Sequence, residues 1–476
     1  MYKKLIVIFL YIILYQLCSL VFKNNVFRLD SLLIFLRSLT INSSTKIILP
    51  YKLNKMNVKK IPILAAFLSL CLCFSCQQTD QGPQPIKAEE VVGALQKLLI
   101  EAKEGDQILL PAGTFSFKRA LSFNDTPNVT IKGAGKGKTI LSFKGQIEGA
   151  EGLIVKNAKN ITLEGFTVAD SKGDAIKVQA CENVIMRDLE TTWTSGKKST
   201  NGAYGLYPVS SKNVLMEQCE ASYASDAGIY VGQSKNVVVR DNYAHNNVAG
   251  IEIENTILGE VYNNVAKNNT AGMLIFDMPD LPQANGDMIK FYDNEMDGNN
   301  GKNFAPPGLV VSTLPAGTGM LMMAHSNIEV RNNIIKNHKT SGISITSWLF
   351  TGTPFKSENY DPYCTNINIH DNIITGTQGP PDADSDFGKL FTAIFEGKSF
   401  DIVIDGIFKP SSLDENGHPT GFCFQNNGDI SFVNLNAGKG ASPEAIAKNM
   451  DTDLSKFDCE MDGLDTKKHD EWLAVK

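Results

Sequence analysis

The chain lacks a charge imbalance and lacks most of the short motifs that announce familiar chemistry. Its 51 acidic side chains exceed its 45 basic ones by only six over 476 residues. No basic stripe occurs that would neutralise a phosphate backbone, so nucleic acid is not an expected partner. No Cys-x-x-Cys-His occurs, so the chain carries no c-type haem of its own. Beyond Cys76 no Cys-x-x-Cys occurs either, which removes the usual zinc knuckles and thioredoxin-like redox chemistry. No cofactor is evident from such signatures.

Composition also changes abruptly along the chain. Residues 1–55 contain no Gly, Ala or Glu, and all 39 glycines lie beyond them. At Met56 a basic start leads into an apolar run, Ile61 to Phe74, and then Ser75-Cys76. This order is that of a lipoprotein signal peptide over 56–76, with Cys76 as the lipidated residue. Residues 1–55 then read as an upstream extension preceding the true start. The alternative is a membrane anchor at 5–22, near the minimum spanning length. With Cys76 lipidated, the chain is expected in the cell envelope, anchored in the periplasm or at the outer membrane. Residues 77–87 are a polar tether.

Five cysteines follow Cys76: Cys181, Cys219, Cys364, Cys423 and Cys459. The odd number leaves at least one thiol unpaired. Cys423 and Cys459 both lie in the tail, where an oxidising compartment favours a bridge.

What is present is a repeat. Ala-Gly-Ile-Tyr-Val at 227–231, Ala-Gly-Ile-Glu-Ile at 249–253 and Ala-Gly-Met-Leu-Ile at 271–275 carry marker glycines Gly228, Gly250 and Gly272. Looser copies place Gly205, Gly308 and Gly342 in the same column, with Ala175 standing in for an earlier one. The shortest steps are 22 and 23 residues. A second column keeps pace: Cys219, Asn242, Asn264, Asn294, Asn333 and Asn372. Two columns in register at this period mean stacked coils that bury their apolar face against their neighbours.

The fold class is therefore all-β, a single-stranded right-handed parallel β-helix over residues 88–380. An amphipathic helix at 88–103 is expected to cap its first coil, and residues 381–476 to form a small C-terminal cap. Further asparagines, such as Asn160, Asn183, Asn213 and Asn236, open strands at corners, where Asn tolerates a left-handed backbone.

Insertions locate a candidate site. Extra residues lead into the glycine-marked strands at 194–203 and 299–306, and lead out of them at 278–288, 314–326 and 347–365. These loops would wall a groove along one sheet face. Alternation sends Ile176, Ile229, Ile251 and Ile343 inward and Lys177, Tyr207, Tyr230, Glu252 and Ser344 outward. A second outward row holds Gln179, Gly232, Glu254, Phe276, Ser312 and Thr346.

Aromatic platforms beside carboxylates suit a sugar polymer, although an ordinary solvated sheet face presents the same residue types. Glu252 and Glu254 are adjacent outward carboxylates roughly 6.5–7 Å apart along the strand, within reach of an inverting acid–base pair. The same pair with backbone oxygens would suit Ca²⁺. Asp174, Asp226 and Asp277 flank the face, and His325 on an exit loop is a candidate general base. Trp348, Tyr360 and Tyr363 on the longest loop are placed to close over a ligand.

The runs at 173–178, 201–209, 225–234, 247–255, 303–308 and 315–319 resemble a family of exported bacterial parallel β-helix repeat proteins. The likeness covers roughly residues 90–380. It implies a lipoprotein or ordinary signal peptide, genes beside those of a di-haem cytochrome c-like family, and no established activity. More distantly the fold resembles polysaccharide lyases, polygalacturonases and alginate epimerases. Their catalytic signatures are missing: there is no Gly-His-Gly with its Arg-x-Lys partner and no Arg-x-Pro-x-x-Arg, and Asp361-Pro362-Tyr363 lacks the histidine of Asp-Pro-His-Asp.

The expected function is binding of a polysaccharide, or of an exported protein such as the cytochrome-like neighbour, by a monomer. Glu252, Glu254, Asp226 and His325 are the candidate proton-transfer groups. Lys177, Tyr207, Tyr230, Phe276 and Trp348 are the candidate ligand contacts. The alternative is a lyase, epimerase or hydrolase acting on the same groove.

Overall fold

The structure is a computed structural model that describes residues 84–466. Cys76, the signal peptide expected at 56–76 and residues 1–55 lie outside the described residues. From Gln107 onward the chain winds as a right-handed parallel β-helix, each full turn adding one strand to each of three sheets. The first and third sheets have 11 strands and the second has 10. Every recorded pairing between these strands is parallel, so consecutive coils stack in a single direction.

One minimal coil shows why. Lys235–Arg240, Tyr243–His245 and Ala249–Glu254 form its three strands. Val237, Val239, Ala244, Ile251 and Ile253 point into the shared core, each Val and Ile side chain contributing roughly 1.5–3 kcal/mol on burial. The inward column of the third sheet runs Ile176, Leu206, Ile229, Ile251, Met273, Met320, Ile343 and Ile402 in unbroken register.

Two kinds of asparagine hold the corners. Inside, Asn242, Asn264, Asn294, Asn333 and Asn372 pass hydrogen bonds from coil to coil at 2.9–3.0 Å, and Asn427 extends the ladder. Cys219 heads the column, its backbone N–H donating to Asn242. Outside, Asn160, Asn183, Asn213 and Asn236 adopt φ of 54° to 59° and link to one another at 2.6–2.8 Å.

Helix α1 (Val91–Glu101) covers the first coil with Val91, Leu95 and Leu99. The first strand of the coils is Gln107–Leu109, directly after this helix. At the other end the stack continues past residue 380. Phe400–Ile404, Phe422–Gln425 and Phe432–Asn434 are its last strands, and helices α2 (Asp386–Phe395) and α3 (Pro443–Asn449) flank them. A disulfide joins Cys423 to Cys459, with Cα atoms 5.0 Å apart. Beyond it the tail lies back along the first sheet, where Leu464 N–H donates to Glu329 at 2.7 Å.

One repeat is misplaced by its sequence. Gly308 sits in a turn at φ 91°, and the strand belonging to that coil is Thr318–Met323, with Gly319 in the marker column. Residues 300–317 are thus one long lead-in loop. Met323 takes the place in the second outward row that alternation had assigned to Ser312.

Candidate functional site

The outward rows of the third sheet carry the chemistry. Strand Ala227–Gly232 sends out Tyr230, and strand Ala249–Glu254 sends out Glu252 and Glu254, directly paired with Tyr230 and Gly232. Tyr207 comes from the preceding coil. The three rings of Tyr204, Tyr207 and Tyr230 pack mutually, with centroids 4.3–4.8 Å apart. Tyr230 lies over Gly232, where an added Cβ would come within 2.4 Å of its ring. From there its hydroxyl donates to Glu254. The Lys177 ammonium stands 4.8 Å above the Tyr207 ring and 3.9 Å from Asp174.

These carboxyls are buried rather than solvated. Glu252 is 3% exposed, and Asp226 and Glu254 are each 7% exposed. Burial pushes Asp226 up to about 7, with Glu254 and Asp174 adding repulsion and the Tyr204 hydroxyl opposing it. Burial likewise raises Glu254 to about 7 against its bond from Tyr230, and Asp174 to about 6. Glu252 is raised well above the carboxylate range by burial and by the charges of Asp226 and Glu254. Burial holds the tyrosine hydroxyls protonated far above neutrality. The site therefore offers carboxyls that exchange protons near pH 7 beside hydroxyls that do not.

Farther along the stack the same face is closed. Phe276, Met323, Leu314, Trp348 and Tyr360 form an apolar cluster over it, with Phe304 and Phe355 packed against them. Two loops clasp each other there: Asp280 accepts the backbone N–H groups of Lys356 and Ser357, and Asn285 donates to the Asn359 carbonyl at 2.7 Å. The continuous groove expected from the insertions is thus roofed along this stretch. Asp174, Lys177, Tyr204 and Tyr207 remain half-buried at its N-terminal side. Phe276 and Trp348, expected at a ligand, instead fasten the roof.

His325 is also placed differently. It is fully buried beside Asp277, Nε2 to Oδ1 being 3.9 Å. Its Nδ1 faces the Ser326 carbonyl at 3.0 Å, and since a carbonyl only accepts, Nδ1 carries the hydrogen and Nε2 is bare. Burial lowers His325 to about 4 and raises Asp277 strongly. Gly286, which has no side chain to strike His325, donates its N–H to Asp277 at 2.5 Å. This pair anchors the roof, where the Tyr360 hydroxyl donates to the Asp277 carbonyl, and with no exposed surface His325 is withdrawn as a base for a ligand on the tyrosine face.

Tyr204 is the member that sequence reading missed. It sits in a lead-in loop, where strand alternation assigns no face. Among the described residues no three His, Cys, Asp or Glu side chains converge as metal ligands. Cys423 lies in the last strand of the first sheet and Cys459 in the tail beyond it.

Residues 151–281 and 197–351 match the family model described as a right handed beta helix region. The pre-neck appendage protein of Bacillus phage phi29 is 24% identical over 273 residues, which is 48% of this chain and 31% of that protein. The chain thus spans about a third of the curated relatives it matches. Among solved structures, the A-module of an Azotobacter vinelandii mannuronan C-5 epimerase is similar at a TM-score of 0.46 and 17% identity, covering 67% of this chain and 75% of that one. An alginate lyase from Paenibacillus is similar at a TM-score of 0.40 and 14% identity, covering 58% and 97%.

Proposed function

We propose that the open side of the third sheet binds a carbohydrate chain. The half-buried Tyr204 and Tyr207 would meet sugar rings, with the 3% exposed Tyr230 bracing them from beneath, and Asp174, Asp226, Glu252 and Glu254 would take hydroxyl hydrogens. The observation that carries this reading is the trio of tyrosine rings within 4.8 Å of one another, beside buried carboxyls. Such amphipathic rings supply contact area at little entropic cost. A polysaccharide panel titrated into the full chain tests it. Tyr207→Ala is expected to weaken any hit severalfold or more. A panel without hits would turn the search to an exported protein partner, including a c-type cytochrome-like one.

A second reading is favoured by one observation: Asp226 and Glu254 are both held at about 7, matched to acid–base work at neutral pH. On this reading the site is that of a lyase, epimerase or hydrolase, and Glu254→Gln abolishes turnover of a bound polymer while sparing its affinity. Export and anchoring through Cys76 belong to the same proposal. Metabolic labelling with palmitate should mark the wild-type chain and leave Cys76→Ala unlabelled.

A further inference from the structure

We infer that the ligand of this face carries a protonated amine, so that the polymer bound is an amino-sugar chain with free amino groups. This rests on the carbohydrate reading above and narrows it. Two buried oxygens point to it: Asp226 Oδ1 and Glu252 Oε2 have no hydrogen-bond partner among the described residues. Burial holds these carboxyls wholly or partly protonated in the free protein; a cationic donor arriving beside them favours their ionised form and supplies the hydrogens that the unpaired oxygens then accept. Asp226, Glu252 and Glu254 interact electrostatically with other carboxyls and with tyrosines, and the cation of this face, Lys177, pairs instead with Asp174.

An ammonium group brings three donors, no acceptor and a positive charge, which is the complement of this arrangement. The tyrosine faces suit it too, because the negative face of an aromatic ring attracts cations. The chain already makes such a contact, Lys177 Nζ standing 4.8 Å above Tyr207. A polyuronate would bring further carboxylates to the same carboxyl cluster and is disfavoured. A divalent cation shares the positive charge, but no three-ligand set converges among the described residues.

The test titrates the full chain with three oligomers of equal length: glucosamine, N-acetylglucosamine and galacturonate. The free-amine oligomer is expected to bind at least tenfold tighter than its acetylated form, with galacturonate silent. Asp226→Asn and Glu252→Gln should each erase that preference, while Tyr207→Ala weakens every sugar that binds. Melting curves establish that each variant is folded. Equal affinity for the acetylated oligomer, with binding still dependent on Tyr207, overturns the amine and leaves the carbohydrate site standing. A preference that survives both carboxyl substitutions reports general attraction to an acidic surface and also overturns it. Calcium that displaces the amine and needs the same two carboxyls would reassign the oxygens to a metal. No binding by any of the three oligomers overturns the amine, and the polysaccharide panel then decides whether the carbohydrate reading falls with it.

Discussion

At the residue scale the face of the third sheet is governed by buried acids. Glu254 moves from 4.5 in its ordinary state to about 7, and Asp226 from 3.8 to about 7. A carboxyl raised on folding binds its proton more tightly in the native state. Its contribution to stability is therefore fully present below the unfolded value, near pH 4, and is lost as pH rises to about 7. Glu254→Gln removes this dependence. Its stability relative to wild type should rise between pH 4 and pH 8 by an amount on the order of 1–3 kcal/mol, read from denaturant midpoints at the two values. Gly232→Ala makes a complementary prediction. The new methyl group displaces the Tyr230 ring from its place over the glycine, at a cost of about 1–3 kcal/mol for overpacking, and it should weaken glycan binding together with Tyr207→Ala.

At the element scale the corners are set by asparagine, and one gap in that pattern is informative. Leu258 and Met288 occupy the outer corner column between Asn236 and Asn327, and both are held at positive φ. The Asn236 amide oxygen is consequently unpartnered among the described residues. Leu258→Asn would relieve a backbone that branched side chains resist and would donate to that oxygen. It should stabilise the fold by about 1–2 kcal/mol, seen as a higher melting temperature. The regular columns were readable because each is one residue type at one spacing. The strand at Thr318–Met323 was not, because Pro307-Gly308-Leu309-Val310 mimics the marker segment. Pairing of Met320 with Met273 and Ile343 decides the register, and that is a contact between coils, invisible in a single one.

At the scale of the whole molecule the stack needs closed ends, since a terminal coil exposes both apolar core and unpaired strand edges. Cys423 and Cys459, 36 residues apart, staple the C-terminal closure. Replacing both with serine frees a loop whose closure is worth about 3–4 kcal/mol in the chain-entropy picture. Because neighbouring coils couple only locally, hydrogen exchange should speed up in strands Phe400–Ile404, Phe422–Gln425 and Phe432–Asn434, with the coils around Gly250 unchanged.

The solenoid, the inward columns, the asparagine corners and the outward placement of Tyr207, Tyr230, Glu252 and Glu254 are all legible in one dimension. All of these follow from short-range periodicity, which a linear chain records directly. What lies above that face emerges only from packing between distant loops. Loops of irregular length carry no period, so neither the roof of Trp348 and Tyr360, nor the burial of His325 against Asp277, nor the arrival of Tyr204 beside Tyr230 could be read from spacing. Those contacts join residues up to 83 positions apart. The carboxyls owe their raised proton affinity to the same long-range burial, because desolvation depends on everything packed around a group rather than on its neighbours in the chain.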